Sequence, residues 1–72
     1  MTVMTSAVVT YKGKDRRGTA RTGSTTETPI ALIERLHKAG WLWAIAERGG
    51  IEVGGLGFDE YTHEDHLWGE SE

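Results

Sequence analysis

One segment narrows what this chain can build. It is "TPIALIERLHKAG", residues 28 to 40, a helix with both ends written into the sequence. Thr28 offers a side-chain oxygen to the free amide hydrogens of a first turn. Pro29 suits the first helical position, where a missing N–H costs nothing. Ile30, Ile33 and Leu36 recur at helical spacing, with Leu32 and Ala39 widening the apolar stripe. Glu34 and Lys38 form an i,i+4 pair on the other side. Gly40 ends the run in a left-handed turn that a β-carbon would disfavour. The spacing predicts a helix over roughly 29 to 39. A single amphipathic helix must lay its stripe against something, and the flanking segments read as strands.

Upstream, "SAVVTYKG" alternates with β-branched and aromatic residues, "KGKDRRG" breaks the apolar pattern, and "RRGTARTG" returns as a polar strand. Residues 6 to 22 therefore read as a hairpin with a basic tip. Downstream, with Gly40 as the residue after the helix cap, Trp41 is placed to fold back on Leu36. Strand alternation then sends Trp43 and Ile45 toward the helix and leaves Leu42, Ala44 and Ala46 on the opposite face. A three-residue loop, Arg48 to Gly50, would pair Ile45 with Val53, Trp43 with Gly55 and Trp41 with Gly57, laying large rings over bare backbone. A two-residue loop would instead put Ile51 and Val53 on the face opposite the tryptophans. The longer loop agrees with the helix cap and is the expectation.

The predicted fold is α+β: ββαββ, a four-stranded antiparallel sheet with one helix on one face. Residues 1 to 58 make one small domain, and 59 to 72 an acidic C-terminal tail that can dock through Tyr61, Leu67 and Trp68. A chain of 72 residues without cysteine has no disulfide to reinforce a small core, so self-association is the expected support. No apolar run approaches the ~20 residues needed to cross a bilayer. The start "MTVMTSAVVTY" lacks the basic n-region of a signal peptide, so a cytoplasmic protein is expected.

The net charge of −3 conceals an asymmetry. Lys12, Lys14, Arg16, Arg17 and Arg21 stand near the N-terminus against Asp15. The tail carries Asp59, Glu60, Glu64, Asp65, Glu70 and Glu72 with no basic residue. Such layouts speak to partners rather than to fold. The five cations could contact nucleic-acid phosphates, with Tyr11 stacking on an unpaired base. Alternatively, the acidic tail lies on the basic hairpin, within one chain or across a subunit interface.

Catalytic signals are weak. Ser6, Ser24 and Ser71 sit in no nucleophile elbow, and the glycines match neither a P-loop nor a dinucleotide fingerprint. His63 and His66 in "HEDH" are spaced to share an ion with Asp59, Glu64 or Asp65, yet they lack the length of a zinc-protease motif. The expectation is a chain with no catalytic residues, cofactor or resident metal. Partner contact is assigned to Trp68, Leu67, Tyr61, Leu42 and Leu56, the last two on a mildly apolar open face with Ala44, Ala46 and Glu52. Homodimerisation through that face is expected, the alternative being a monomer whose tail covers it.

The run "LIERLHKAGWLWAIAERGGIEVGGLGF", Leu32 to Phe58, resembles small orphan proteins of actinobacterial phages, in which a short helix ends in a Gly-Trp step before a glycine-rich hairpin. The resemblance implies an early-expressed cytosolic protein that binds a host component. It transfers no residue roles.

Overall fold

The computed structural model describes residues 8–71. Two strands, β1 (Val9–Lys14) and β2 (Ala20–Thr25), precede the helix α1 (Pro29–Lys38). Three follow it: β3 (Trp43–Arg48), β4 (Ile51–Asp59) and β5 (Glu64–Gly69). All pair antiparallel in one open sheet of order β2-β1-β3-β4-β5, with the helix across one face. The α+β architecture stands as expected. The strand count does not, because among the described residues five strands in the order ββαβββ replace the expected four.

The additional strand is most of what reads as a tail. "EDHLWG" has only two large apolar residues, Leu67 and Trp68. Being adjacent, they face opposite sides of the sheet, so no apolar alternation announces a strand. Charge on an edge strand also discourages pairing with other chains. Register fixes β5 as an integral element: Gly54 pairs with Gly69, Leu56 with Leu67 and Asp59 with Glu64.

The helix forms as its ends dictate. The Thr28 hydroxyl accepts the Ala31 amide hydrogen at 3.4 Å, with Pro29 at the first position. At the other end Gly40 has φ +86°. Its N–H donates to the His37 carbonyl, and that of Trp41 donates to Leu36, the paired bonds that close such a terminus. Arg35, His37 and Lys38 place basic groups in the last turn, where the helix dipole favours them.

The core lies between helix and sheet: Leu32, Ile33 and Leu36 on Val9, Ala44, Ala46, Val53 and Leu56. This overturns the expected phase of β3. Ala44 and Ala46 point under the helix, while Trp43 and Ile45 face the other side, with Trp43 37% exposed. Trp41 does pack back on the core as the cap predicts. Leu42, however, lies in a bend before the strand begins, its N–H donating to Lys14, and alternation cannot be carried across it. The hairpin closes through the two-residue loop Gly49-Gly50, both with positive φ. Those angles suit the tight turns that match strand twist. Pairs run Arg48–Ile51, Glu47–Glu52, Ala46–Gly54, Ile45–Gly55 and Ala44–Leu56. Val53 is left as a bulge that turns into the core.

Candidate recognition face

Because one helix covers one side of the sheet, the other side is built from the alternate residues of each strand. On β1 these are Thr10, Lys12 and Lys14, opposite in phase to buried Val9 and Gly13. On β3 they are Trp43, Ile45 and Glu47, on β4 Gly55, Gly57 and Asp59, and on β5 Glu64, His66 and Trp68. Across the middle, Lys12 pairs with Ile45, Ile45 with Gly55, and Gly55 with Trp68. In the next row Lys14 pairs with Trp43, and Gly57 with His66.

Trp68 is 47% exposed, yet its indole lies on Gly55, where a β-carbon would sit 2.7 Å from Nε1. A large ring does cover a strand glycine, as the sequence suggested, but it comes from β5 rather than from Trp43. Tyr11 does the same for its partner Gly23 on the helix side. Gly57 differs, because no atom of the described residues lies within 4 Å of where its β-carbon would be. Around it opens a shallow hollow of about 450 Å³ lined by Gly57, Phe58, Asp59, Glu60, Tyr61 and His66. Tyr61 is 97% exposed at its rim. The turn carrying Tyr61 is held by Asp59, whose carboxylate accepts the amide hydrogens of Tyr61 and Thr62 at 2.7 and 3.3 Å.

The expected partner residues separate on this framework. Trp68 and Tyr61 are exposed on or beside the helix-free face. Leu56, 6% exposed, and half-buried Leu67 belong to the helix side, so neither lines an open face, and Ala44 and Ala46 go with them. Leu42 is exposed in the bend before β3. Trp43 and Ile45, assigned to the core on sequence, take the vacated positions. The signal that could have placed them was the "RGGI" step, whose double glycine favours the shorter loop.

The five basic residues also part company. Lys12 and Lys14 flank Ile45 and Trp43 on the helix-free face. Arg21 pairs with Gly13, in phase with the helix side, and its Nε donates to Asp15 at 3.1 Å. Asp15 organises the hairpin tip by also accepting the amide hydrogens of Thr19 and Arg17. These bonds, with Thr19 foremost, hold its carboxyl below the usual aspartate range. The Arg16 side chain lies against Gly40, beyond the helix. The expected hairpin begins at residue 6, and residues 6 and 7, like Glu72, lie outside the described residues.

The acidic segment does not fold onto the basic hairpin of its own chain. β5 and β2 form opposite edges of the sheet, with β1, β3 and β4 between them. Acid groups of the segment meet other bases instead, Asp65 with His37 at 3.0 Å and Glu70 with Arg48 at 3.2 Å. His66 meets Asp59 at 3.4 Å, whereas His63, in the turn at φ +56°, tilts against Phe58. The two histidines are therefore engaged separately. Among the described residues no three metal-ligating side chains converge. Among the same residues no helix is long and apolar enough to cross a membrane.

In comparisons with protein-family models, curated proteins and solved structures, nothing matches this chain.

Proposed function

We propose that this chain is a non-enzymatic protein-binding module whose recognition surface is the helix-free face of its sheet. One observation carries the reading: Trp43, Ile45 and Trp68 stand together on that face, beside the hollow at Gly57. Tryptophan is enriched among residues that dominate binding energy, and a large ring seated in a partner's recess is the usual form of such an anchor. The surroundings support specificity, with Lys12 and Lys14 on one flank and Asp59 and Glu64 on the other. Complementary charge steers encounter and fixes orientation more than it adds affinity. The likeness to actinobacterial phage proteins makes a cytoplasmic host protein one candidate partner, and a further copy of the chain is another.

Affinity capture from an actinobacterial lysate, treated with nuclease and compared with a Trp43→Ser chain of unchanged circular dichroism, tests this. A protein retained after nuclease and lost from the variant is the expected result. Retention by both forms would move the surface elsewhere.

A second reading has its own observation. Lys14 is the direct neighbour of Trp43, so stacking and phosphate contact could be made side by side, as single-stranded nucleic acids require. Against it, Arg21 is engaged by Asp15 on the other side of the sheet, and Glu47, Glu52, Asp59 and Glu64 share the face with the lysines. Binding that nuclease abolishes, and that falls steeply with salt, would favour this alternative.

A further inference from the structure

Among the described residues, nothing explains a glycine at position 57. Glycine inside a strand costs conformational entropy relative to alanine, and where retained it marks a bulge or the close approach of another group. Gly54 has such a reason, since a β-carbon there would press on Ile33 at 3.2 Å, and Gly55 lies under the Trp68 indole. At Gly57 the space is open, and it forms the floor of the 450 Å³ hollow. On the neighbouring strand, one residue beyond the Ala44–Leu56 pair, Trp43 is over a third exposed. A projecting ring and an empty seat thus occupy neighbouring strands of one face.

We infer that the partner of this face is a second copy of the chain, related by a two-fold axis parallel to the strands between β3 and β4. The inference rests on the reading of the helix-free face as a protein-binding surface. That rotation lays β3 of each copy over β4 of the other, and β1 over β5. Trp43 of each copy enters the hollow at Gly57 of the other, and Ile45 comes over Gly55. The same operation carries Lys12 and Lys14 over the strand that presents Glu64, His66 and Trp68. By the register, Lys12 comes over the aromatic face of Trp68 and Lys14 over His66, with the opposite charge of Glu64 in the next row. In a closed two-fold interface residue i meets j while j meets i, which requires a surface that is its own complement. The strand order supplies this, with cations on β1, projecting rings on β3, bare glycine on β4 and acids on β5.

Turning the axis perpendicular to the strands within the sheet plane would lay β1 on β1 and set lysines against lysines. The strand-parallel axis avoids that contact, at the cost of bringing Glu47 of each copy over Glu52 of the other. The four strands involved span only about 15–20 Å in each direction, so the contact lies at the small end of specific interfaces. The dimer is accordingly reversible and concentration-dependent.

Sedimentation equilibrium of the full chain over a wide concentration range gives the test, with three variants. Gly57→Val puts side-chain bulk in the seat without an intramolecular clash, so its thermal melt at low concentration matches the parent while association weakens at least ten-fold. Lys12→Glu with Lys14→Glu, and separately Glu64→Lys with His66→Lys, each give chains that repel themselves. Mixed one to one, these two charge variants recover dimers, because each contact again joins unlike charges. Recovery also shows that both are folded. A parent that stays monomeric at the highest concentration overturns the inference. So does a dimer whose strength survives all three variants. If the parent is monomeric but Trp43→Ser still loses a captured protein, the self-pairing fails and the binding face stands. If Trp43→Ser also retains capture, both fall.

Discussion

At Leu32 and Trp43 the two sides of the sheet can be compared residue by residue. Leu32 is fully buried beneath the helix, and Leu32→Ala should cost about 2–5 kcal/mol by lost transfer energy and an unfilled cavity. Trp43, larger but over a third exposed, packs on one side only, so Trp43→Ala should cost less than Leu32→Ala despite deleting more atoms. Urea unfolding of both variants checks the order, and the reverse order would return Trp43 to the core. This residue is also where sequence reasoning lost its phase. Trp41 turns onto the core as the helix cap predicts, but Leu42 interposes a bend before β3, and one residue of slip exchanges every side chain between faces. Two consecutive positive-φ glycines at 49 and 50 were the local evidence for the shorter loop. The bulge at Val53 then shifts the phase of the rest of β4, so that Gly54 and Leu56 rather than Gly55 and Gly57 lie on the helix side, which no alternation count anticipates.

Among the elements, α1 was legible nearly to its last residue, because capping groups act locally. β5 was not, because what holds it is non-local. Its end runs across the helix N-terminus, where the Ile30 N–H donates to the Glu70 carbonyl at 3.0 Å. A β-carbon on Gly69 would lie 2.8 Å from backbone atoms of Ile30, which cannot yield as a side-chain tip would. Gly69→Ala should therefore destabilise by about 1–3 kcal/mol, the usual cost of overpacking, with hydrogen exchange rising first in β5 and the first helical turn. Unchanged exchange there would show that the strand does not bear on the helix. The helix is also tied backward to the segment after β2, where Arg35 grips Glu27 at 2.7 Å. This hydrogen bond holds the Glu27 carboxyl below the usual glutamate range and raises the Arg35 guanidinium. A lowered folded value means stability present at neutral pH and lost as pH falls through that value. Both side chains are substantially exposed, so the loss is small, under about 1 kcal/mol. Glu27→Gln should flatten that part of the acid limb in melts taken across the carboxylate range, and an identical limb would remove the ion pair from the account.

Over the whole molecule, the sequence showed its charge asymmetry but not where the charges would go. Strand order decides that. It sets the basic hairpin and the acidic strand at opposite edges, so they cannot neutralise one another within one chain, and it leaves the apolar stripe between them. The three tryptophans report on this arrangement independently. Trp41 packs edge-on to Tyr11, at 5.9 Å between ring centres, and against the core, while Trp43 and Trp68 share the helix-free face. Their three indole N–H resonances, followed by NMR as the chain is concentrated or a captured protein is added, test that face most directly as the recognition surface. The Trp43 and Trp68 signals should shift or broaden together while that of Trp41 holds its place. Movement of Trp41 alone, with the other two unchanged, would contradict the assignment.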